Sequence, residues 1–320
     1  MWLLFAFCSA IFSGFYDVSK KASVRSNAVV PVLFLNCLFS TLIFLPCLID
    51  GISGAGWFEG TAFEMDPFNP RYEGEVITNT VKIQLLIILK AFIVLTSWIF
   101  GYIGIKHLPI TIVGPINATR PVLVLLGAMI IFGERLNLYQ WIGVILAVIS
   151  IFLLSRSTKK NEKVDFAHNR WIWCIAVATL VGASSGLYDR YLLRQFRPIY
   201  VQSWYNLYET VIMGAVLIAV WMKARKSGLP VSEGGNALGF TWRWSILLIS
   251  VFLSISDFTN FTALSHPEAM VSVCSLIRRS SVIVSFICGA LIFKEKNLRA
   301  KALDLLLILV GMFFIWLGSS

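Results

Sequence analysis

The sequence predicts an all-α integral membrane protein of ten transmembrane helices, arranged as two inverted five-helix repeats around a central cavity. Three observations predict it. Hydrophobic residues make up 58% of the 320 residues, only 14% are charged, and the mean hydropathy is +0.78, far more apolar than a soluble domain of this length. Apolar runs long enough to cross a bilayer follow one another with short charged or Gly/Pro-rich breaks between them. Short motifs of the first half return in the second.

The first run, about 2–18, ends in SGFYD; it has no basic segment ahead of its apolar core, so it is read as a span and not as a secretory signal. Runs at about 29–49, 83–105 and 108–132 follow. Pro109, Pro115 and Pro121 interrupt the last of these, which is tolerable in a membrane where the freed backbone groups are buried or line a wet cavity. A fifth run, about 138–155, completes the first repeat, residues 1–156. A basic linker, 157–170, leads into the second repeat, 171–320, with runs at about 171–189, 199–222, 243–264, 267–292 and 300–318. The longest connection, about 50–81, carries Asp50, Glu59, Glu64, Asp66, Glu73 and Glu75 among Trp57, Phe58, Phe63 and Phe68, and reads as an ordinary interfacial loop, with an aromatic flap on the outer face as the alternative.

The repeat is visible residue by residue. SGFYD at 13–17 returns as SGLYD at 185–189, and Asn36 and Asn206 take similar places in the second and seventh runs. His107 and His266 precede the fourth and ninth runs, and FGERL (132–136) is echoed by FKEKNL (293–298), matching Glu134 with Glu295. The offset of the two histidines lays Arg120 on Arg279 and Thr119 on Arg278. Five spans is an odd number, so the second copy enters the membrane upside down, and a site is expected where the halves meet. Seventeen Lys and Arg fall in loops on the side of the linker against six on the other, which places the linker in the cytoplasm and both termini outside.

The formal charge of +10 is thereby a matter of topology, and nucleic acid is excluded as a partner. Six cysteines lie scattered in apolar runs without CxxC spacing and read as small buried hydrophobes. His107 and His266 have no second ligand at metal spacing. No phosphate-cradling loop, nucleophile elbow or zinc signature is present, so neither an enzyme, a cofactor nor a metal is expected.

Ten spans in a five-plus-five repeat, GERLNLYQWIGVILAVISIFLL after the fourth run and its weaker echo KEKNLRAKALDLLLILVGMFFIWLG at the end resemble the drug/metabolite transporter superfamily, in particular its EamA-like branch. The resemblance covers nearly the whole chain and implies a transporter in a lipid bilayer. Its members carry amino acids, nucleotide sugars, sugar phosphates and drugs, so it does not choose the substrate. The second half departs from the pattern: FKEKNLRAK lacks the Gly-Glu pair, and Asp304 interrupts the last run.

Chemistry is concentrated in ionisable groups within the runs. Each arginine costs about 2.5–3.5 kcal/mol at the bilayer centre on insertion scales, so Arg120, Arg278 and Arg279 must face a cavity or partners. Asn117, three residues before Arg120, shares its helical face, and a guanidinium offers two parallel donors to a phosphate or carboxylate. Lys90, Arg120, Arg278 and Arg279 outnumber the mid-run acids Glu209 and Asp257 by two, provided Asp17 pairs locally with Lys20 or Lys21 and Asp189 with Arg190 or Arg194. Glu209 and Asp257 are expected as charge partners or as proton-coupling groups. Tyr16, Tyr188 and Trp98, with Asn36, Asn206 and Asn260, complete the expected substrate-binding set.

The expected function is secondary transport of a small organic anion, a phosphorylated sugar or a carboxylate, by alternating access, with a proton or counter-substrate as a further partner. In the sugar-phosphate branch of the resembled superfamily, basic residues on the fourth and ninth spans hold phosphate. An exporter of amino acids or other zwitterions is the first alternative. A membrane scaffold or lipid-handling protein is the second, and it requires the arginines to be saturated by carboxylates or headgroups. The near absence of soluble segments fits a bacterial inner membrane; monomer and dimer are both left open.

Overall fold

The computed structural model describes residues 1–24, 27–107, 116–117, 119–157, 170–226 and 240–281, and toward the end of the chain 283–284, 287–288, 306–307, 309–311, 313–314 and 316–318. Pro109, Pro115, Glu295, Asp304, most of the basic linker and much of the tenth expected span lie outside these residues, as do the side chains of Tyr102 and His107. The named helices are α1 (Trp2–Val24), α2 (Val29–Ser53), α3 (Thr80–His107), α4 (Arg120–Ile131), α5 (Leu138–Ser157), α6 (Arg170–Gln195), α7 (Pro198–Lys226), α8 (Trp244–Leu264) and α9 (Val271–Arg279). Among the described residues there is no strand, only an isolated bridge between Phe68 and Phe196.

Among the described residues, six helical segments are long and apolar enough to cross a membrane: Trp2–Lys20, Val29–Ser53, Thr80–Gly101, Trp171–Gln195, Pro198–Lys223 and Trp244–Leu264. In α2 the stripe Leu33, Cys37, Phe44 and Cys47 is buried, while Leu42, Ile43, Leu45 and Ile49 on the other face stay exposed. A soluble helix would carry polar residues there; apolar residues all round identify a helix whose outer face meets lipid.

The helices pack through small hydroxylated residues that let backbones approach. α1 runs antiparallel along α8, where Ser9 and Ser256 hydroxyls lie 3.2 Å apart and Ser23 Oγ donates to Ser245 Oγ at 2.6 Å. α3 runs antiparallel along α6, with Ser97 Oγ donating to Ala178 O at 2.8 Å. α2 crosses α7 where the Thr41 and Thr210 hydroxyls are 2.8 Å apart.

Two expected boundaries move. α6 continues to Gln195, so Arg190 and Arg194 are helical residues, not loop charges. Arg190, only 1% exposed, donates to Leu264 O, to His266 O at 2.6 Å and to Pro267 O at 2.9 Å, the carbonyls left open at the end of α8. In the fourth expected run, most of whose first part lies outside the described residues, α4 starts at Arg120, with Pro121 behind it in the first turn, where proline needs no partner for its missing N–H. Arg278 and Arg279 occupy the last turn of α9, where the negative end of the helix dipole favours cations.

The 54–79 connection is a folded cap. Asn69 Nδ2 donates to Leu193 O, Arg194 O and Ser265 O at 3.0–3.1 Å, tying the loop to the α6–α7 and α8–α9 junctions. Arg197 pairs with Glu64 at 3.0 Å and Asp66 at 3.3 Å, and Phe63 stacks on Phe258 with ring centroids 5.5 Å apart. Nearby, Glu134 accepts from Val271 N at 2.7 Å, Ser272 N at 3.3 Å and the Ser272 hydroxyl, capping α9.

Candidate functional site

Charged side chains from α1, α3, α4, α6, α7, α8 and α9 meet inside the bundle. Lys90 of α3, 2% exposed, forms an ion pair with Asp189 of α6. Its ammonium also lies 4.4 Å from the Tyr205 ring centroid and 4.5 Å from that of Phe261, so aromatic faces share its charge. This lysine is saturated: a carboxylate on one side and two rings on the others leave it no free direction.

Arg278 of α9 forms an ion pair with Asp257 of α8, and the two side chains keep 32% and 18% of their surface. Arg279, its neighbour, feels the charges of Asp17 and Arg278. Arg120 donates through Nη2 to Gly182 O at 2.6 Å and feels Arg279, Arg278 and Asp189. Asn117 accepts from Thr179 Oγ1 at 3.0 Å, one turn of α6 before Gly182. Gly182 is needed for this approach, since a Cβ there would stand 2.7 Å from Arg120 Cζ and 2.9 Å from Ser97 Oγ. Arg120, Arg279 and Asp257 retain partial accessibility and Asp17 is exposed.

The expected charge surplus does not survive. Asp189 pairs across to α3 and not with Arg190 or Arg194, because α6 carries it past the expected span end to the level of Lys90. Asp17 feels Lys20, as expected of helical neighbours, and also Arg279 and Arg278. Lys90, Arg120, Arg278 and Arg279 are therefore set against Asp17, Asp189, Glu209 and Asp257. What distinguishes the four cations is pairing. Among the described residues, Lys90 and Arg278 each have a carboxylate within ion-pair distance, and Arg120 and Arg279 do not.

The remaining expected residues separate into groups. Tyr16 packs with Val32, Ile246 and Ile249, has the Lys20 ammonium 5.5 Å from its ring centre, and its hydroxyl bears on Arg278. Tyr188 turns elsewhere: its hydroxyl donates to Leu86 O at 3.1 Å and its ring stacks on Tyr191. Trp98 packs against Leu33, Cys37, Leu95 and Met213 in an apolar cluster. Asn260 is buried on α8. Asn36 and Asn206 are buried as well, each with one amide atom, Asn36 Oδ1 and Asn206 Nδ2, lacking a partner among the described residues. Sequence reasoning missed Arg190, Asn69 and Tyr205; the YDRY run, with charge inside an otherwise apolar helix, was the one signal for the first. Among the described residues no cluster of His, Cys, Asp or Glu is arranged to hold a metal.

Comparison with known proteins agrees with this architecture. Residues 1–156 match the EamA-like transporter family. An uncharacterized transporter of Archaeoglobus fulgidus is 22% identical over 188 residues, an alignment that covers 56% of this chain and 58% of that protein, so the chain spans little more than half of its relative. The crystal structure of another protein superposes with a TM-score of 0.68 over 98% of this chain and 96% of that one at 14% identity, which shows a common fold. The chain is an integral, multi-pass membrane protein whose residues 1–156 match the EamA-like transporter family.

Proposed function

We propose that this protein is a secondary transporter that moves a small organic anion by alternating access, the acidic group held between Arg120 and Arg279. One observation carries the reading: these two arginines keep partial accessibility where the charged helices meet and have no carboxylate at ion-pair distance among the described residues. Lys90 and Arg278 then act as fixed charges that shape the field, each neutralised by its own aspartate. A scaffold would need all four cations saturated, and among the described residues Arg120 and Arg279 have no carboxylate partner.

Ten spans in two inverted repeats remain our reading of the whole, and the packing supports it. α1 lies on α8 as α6 lies on α3, and α9 lies on α1 as α4 lies on α6. Asp17 acts on Arg279 as Asp189 acts on Arg120. An exchange of halves about an axis in the membrane plane produces such pairs, and rocking one half against the other gives alternating access. With Arg190 and Arg194 moved from loop to helix, the loop charges still favour the linker side as cytoplasmic.

A thermal-shift screen of phosphorylated, carboxylated and zwitterionic metabolites on the purified protein tests the substrate class. Phosphorylated sugars or carboxylates are expected to stabilise it, and Arg279→Ala is expected to abolish that stabilisation while the protein stays folded. Retained stabilisation in Arg279→Ala refutes the assignment. An amine-bearing ligand that outcompetes its deaminated analogue moves the reading to a zwitterion exporter.

A further inference from the structure

Glu209 is used by neither the ion pairs nor the anion site. It is 4% exposed on α7 and is the only buried glutamate among the described residues. Its Oε1 has no hydrogen-bond partner there. The groups facing it are Lys90 from α3, Asp189 from α6, Asp257 from α8, Tyr205 from α7 and Cys37 from α2. Tyr205 is its hydrogen-bond partner, and the cation facing it, Lys90, is committed to Asp189. A bare carboxylate in such a place costs several kcal/mol, and a proton removes that cost.

Glu209 also belongs to a stripe. Gln202, Asn206 and Glu209 recur at helical spacing on one face of α7 over roughly 10 Å, with Ser203 beside them. Asn36 and Ser40 are one turn apart on α2, and the Thr41–Thr210 contact pins this helix crossing next in sequence to Ser40 and Glu209. Gln202 Nε2 donates to Ser254 O at 3.1 Å, which brings α8 to the same seam. Asn36 Oδ1, Ser40 Oγ, Gln202 Oε1, Ser203 Oγ, Asn206 Nδ2 and Ser254 Oγ are all buried and unpartnered among the described residues. Mixed donors and acceptors spread along three helices do not offer the convergent oxygen ligands that a metal ion requires. They suit a file of water molecules.

We propose that Glu209 is a proton-carrying site of this transporter, reached through the polar seam of α2, α7 and α8. The step is the uptake of one proton from bulk water onto the carboxylate and its release in the opposite-facing state. The inference rests on the transport reading above, but not on the identity of the anion.

Infrared difference spectroscopy of the protein in liposomes across pH tests it. A protonated-carboxyl band that titrates, exchanges slowly in D2O, shifts on labelling with 13C-glutamate and is missing in Glu209→Gln is the expected result. If Glu209→Gln does not fold, the labelling and slow exchange in the unaltered protein decide, because the other glutamates among the described residues are not buried. A band that ignores 13C-glutamate, that answers to sodium chloride and not to pH, or that is displaced by a primary amine overturns the proposal. Anion-dependent thermal stabilisation in Glu209→Gln and Arg279→Ala reports separately on the anion site, so the two readings fail independently.

Discussion

Lys90 shows how a buried charge acquires its meaning from a partner. Removing one member of an enclosed ion pair strands the other, a change that costs about 3–5 kcal/mol, whereas replacing both by apolar groups of similar size is close to neutral. Lys90→Met is therefore expected to lower stability strongly, and Lys90→Met with Asp189→Leu to recover most of the loss, as read from thermal unfolding in detergent. Absence of recovery would show that Asp189 holds more than this lysine. Gly182 gives a second expectation. An alanine there pushes the Arg120 guanidinium off the Gly182 carbonyl, so Gly182→Ala should weaken anion binding about tenfold, equivalent to about 1.4 kcal/mol, with the helix itself intact. Undiminished binding in that variant would remove Arg120 from the site. Lys90, Arg120, Arg278 and Arg279 were all legible as cations in apolar runs. Their partners were not, because a partner is chosen by the register of two helices far apart in sequence.

At the scale of elements, the FGERL motif is a device for starting α9. Gly133 takes φ +65°, a turn that favours glycine, and the turn delivers Glu134 to the free amides of Val271 and Ser272. Charge-assisted hydrogen bonds of this kind contribute about 1.5–3 kcal/mol, so Glu134→Ala should destabilise by that order. Glu134→Gln should lose less, chiefly the attraction to the helix dipole, about 0.3–1 kcal/mol. Equal losses in thermal unfolding would mean that charge contributes nothing there. The cap over residues 54–79 depends in the same way on Asn69, whose amide serves carbonyls of two helix junctions. Asn69→Leu is expected to speed hydrogen exchange in 64–69 and 193–197 while leaving the cores of α2 and α7 protected; unchanged exchange would make the cap independent of Asn69. The acidic, aromatic composition of this loop was plain in the sequence. Its closure onto α6, α7 and α8 depends on backbone carbonyls, which no residue letter announces.

For the molecule as a whole, hydropathy alone determined that helices cross a membrane, because a backbone in lipid must satisfy its own hydrogen bonds and needs about 20 apolar residues to do so. The recurring SGFYD and SGLYD, Asn36 with Asn206 and Arg120 with Arg279 are the sequence signals on which the proposed repeat rests. Tertiary structure decided the electrostatics. It paired Lys90 with Asp189 and Arg278 with Asp257, brought Asp17 within the field of Arg279, and, among the described residues, left Arg120 and Arg279 without a carboxylate at ion-pair distance and Glu209 Oε1 without a partner. The physical reason is range: burial follows from local composition, whereas the balance of charge in a low-dielectric interior depends on a few ångströms between side chains that only the packed helices bring together.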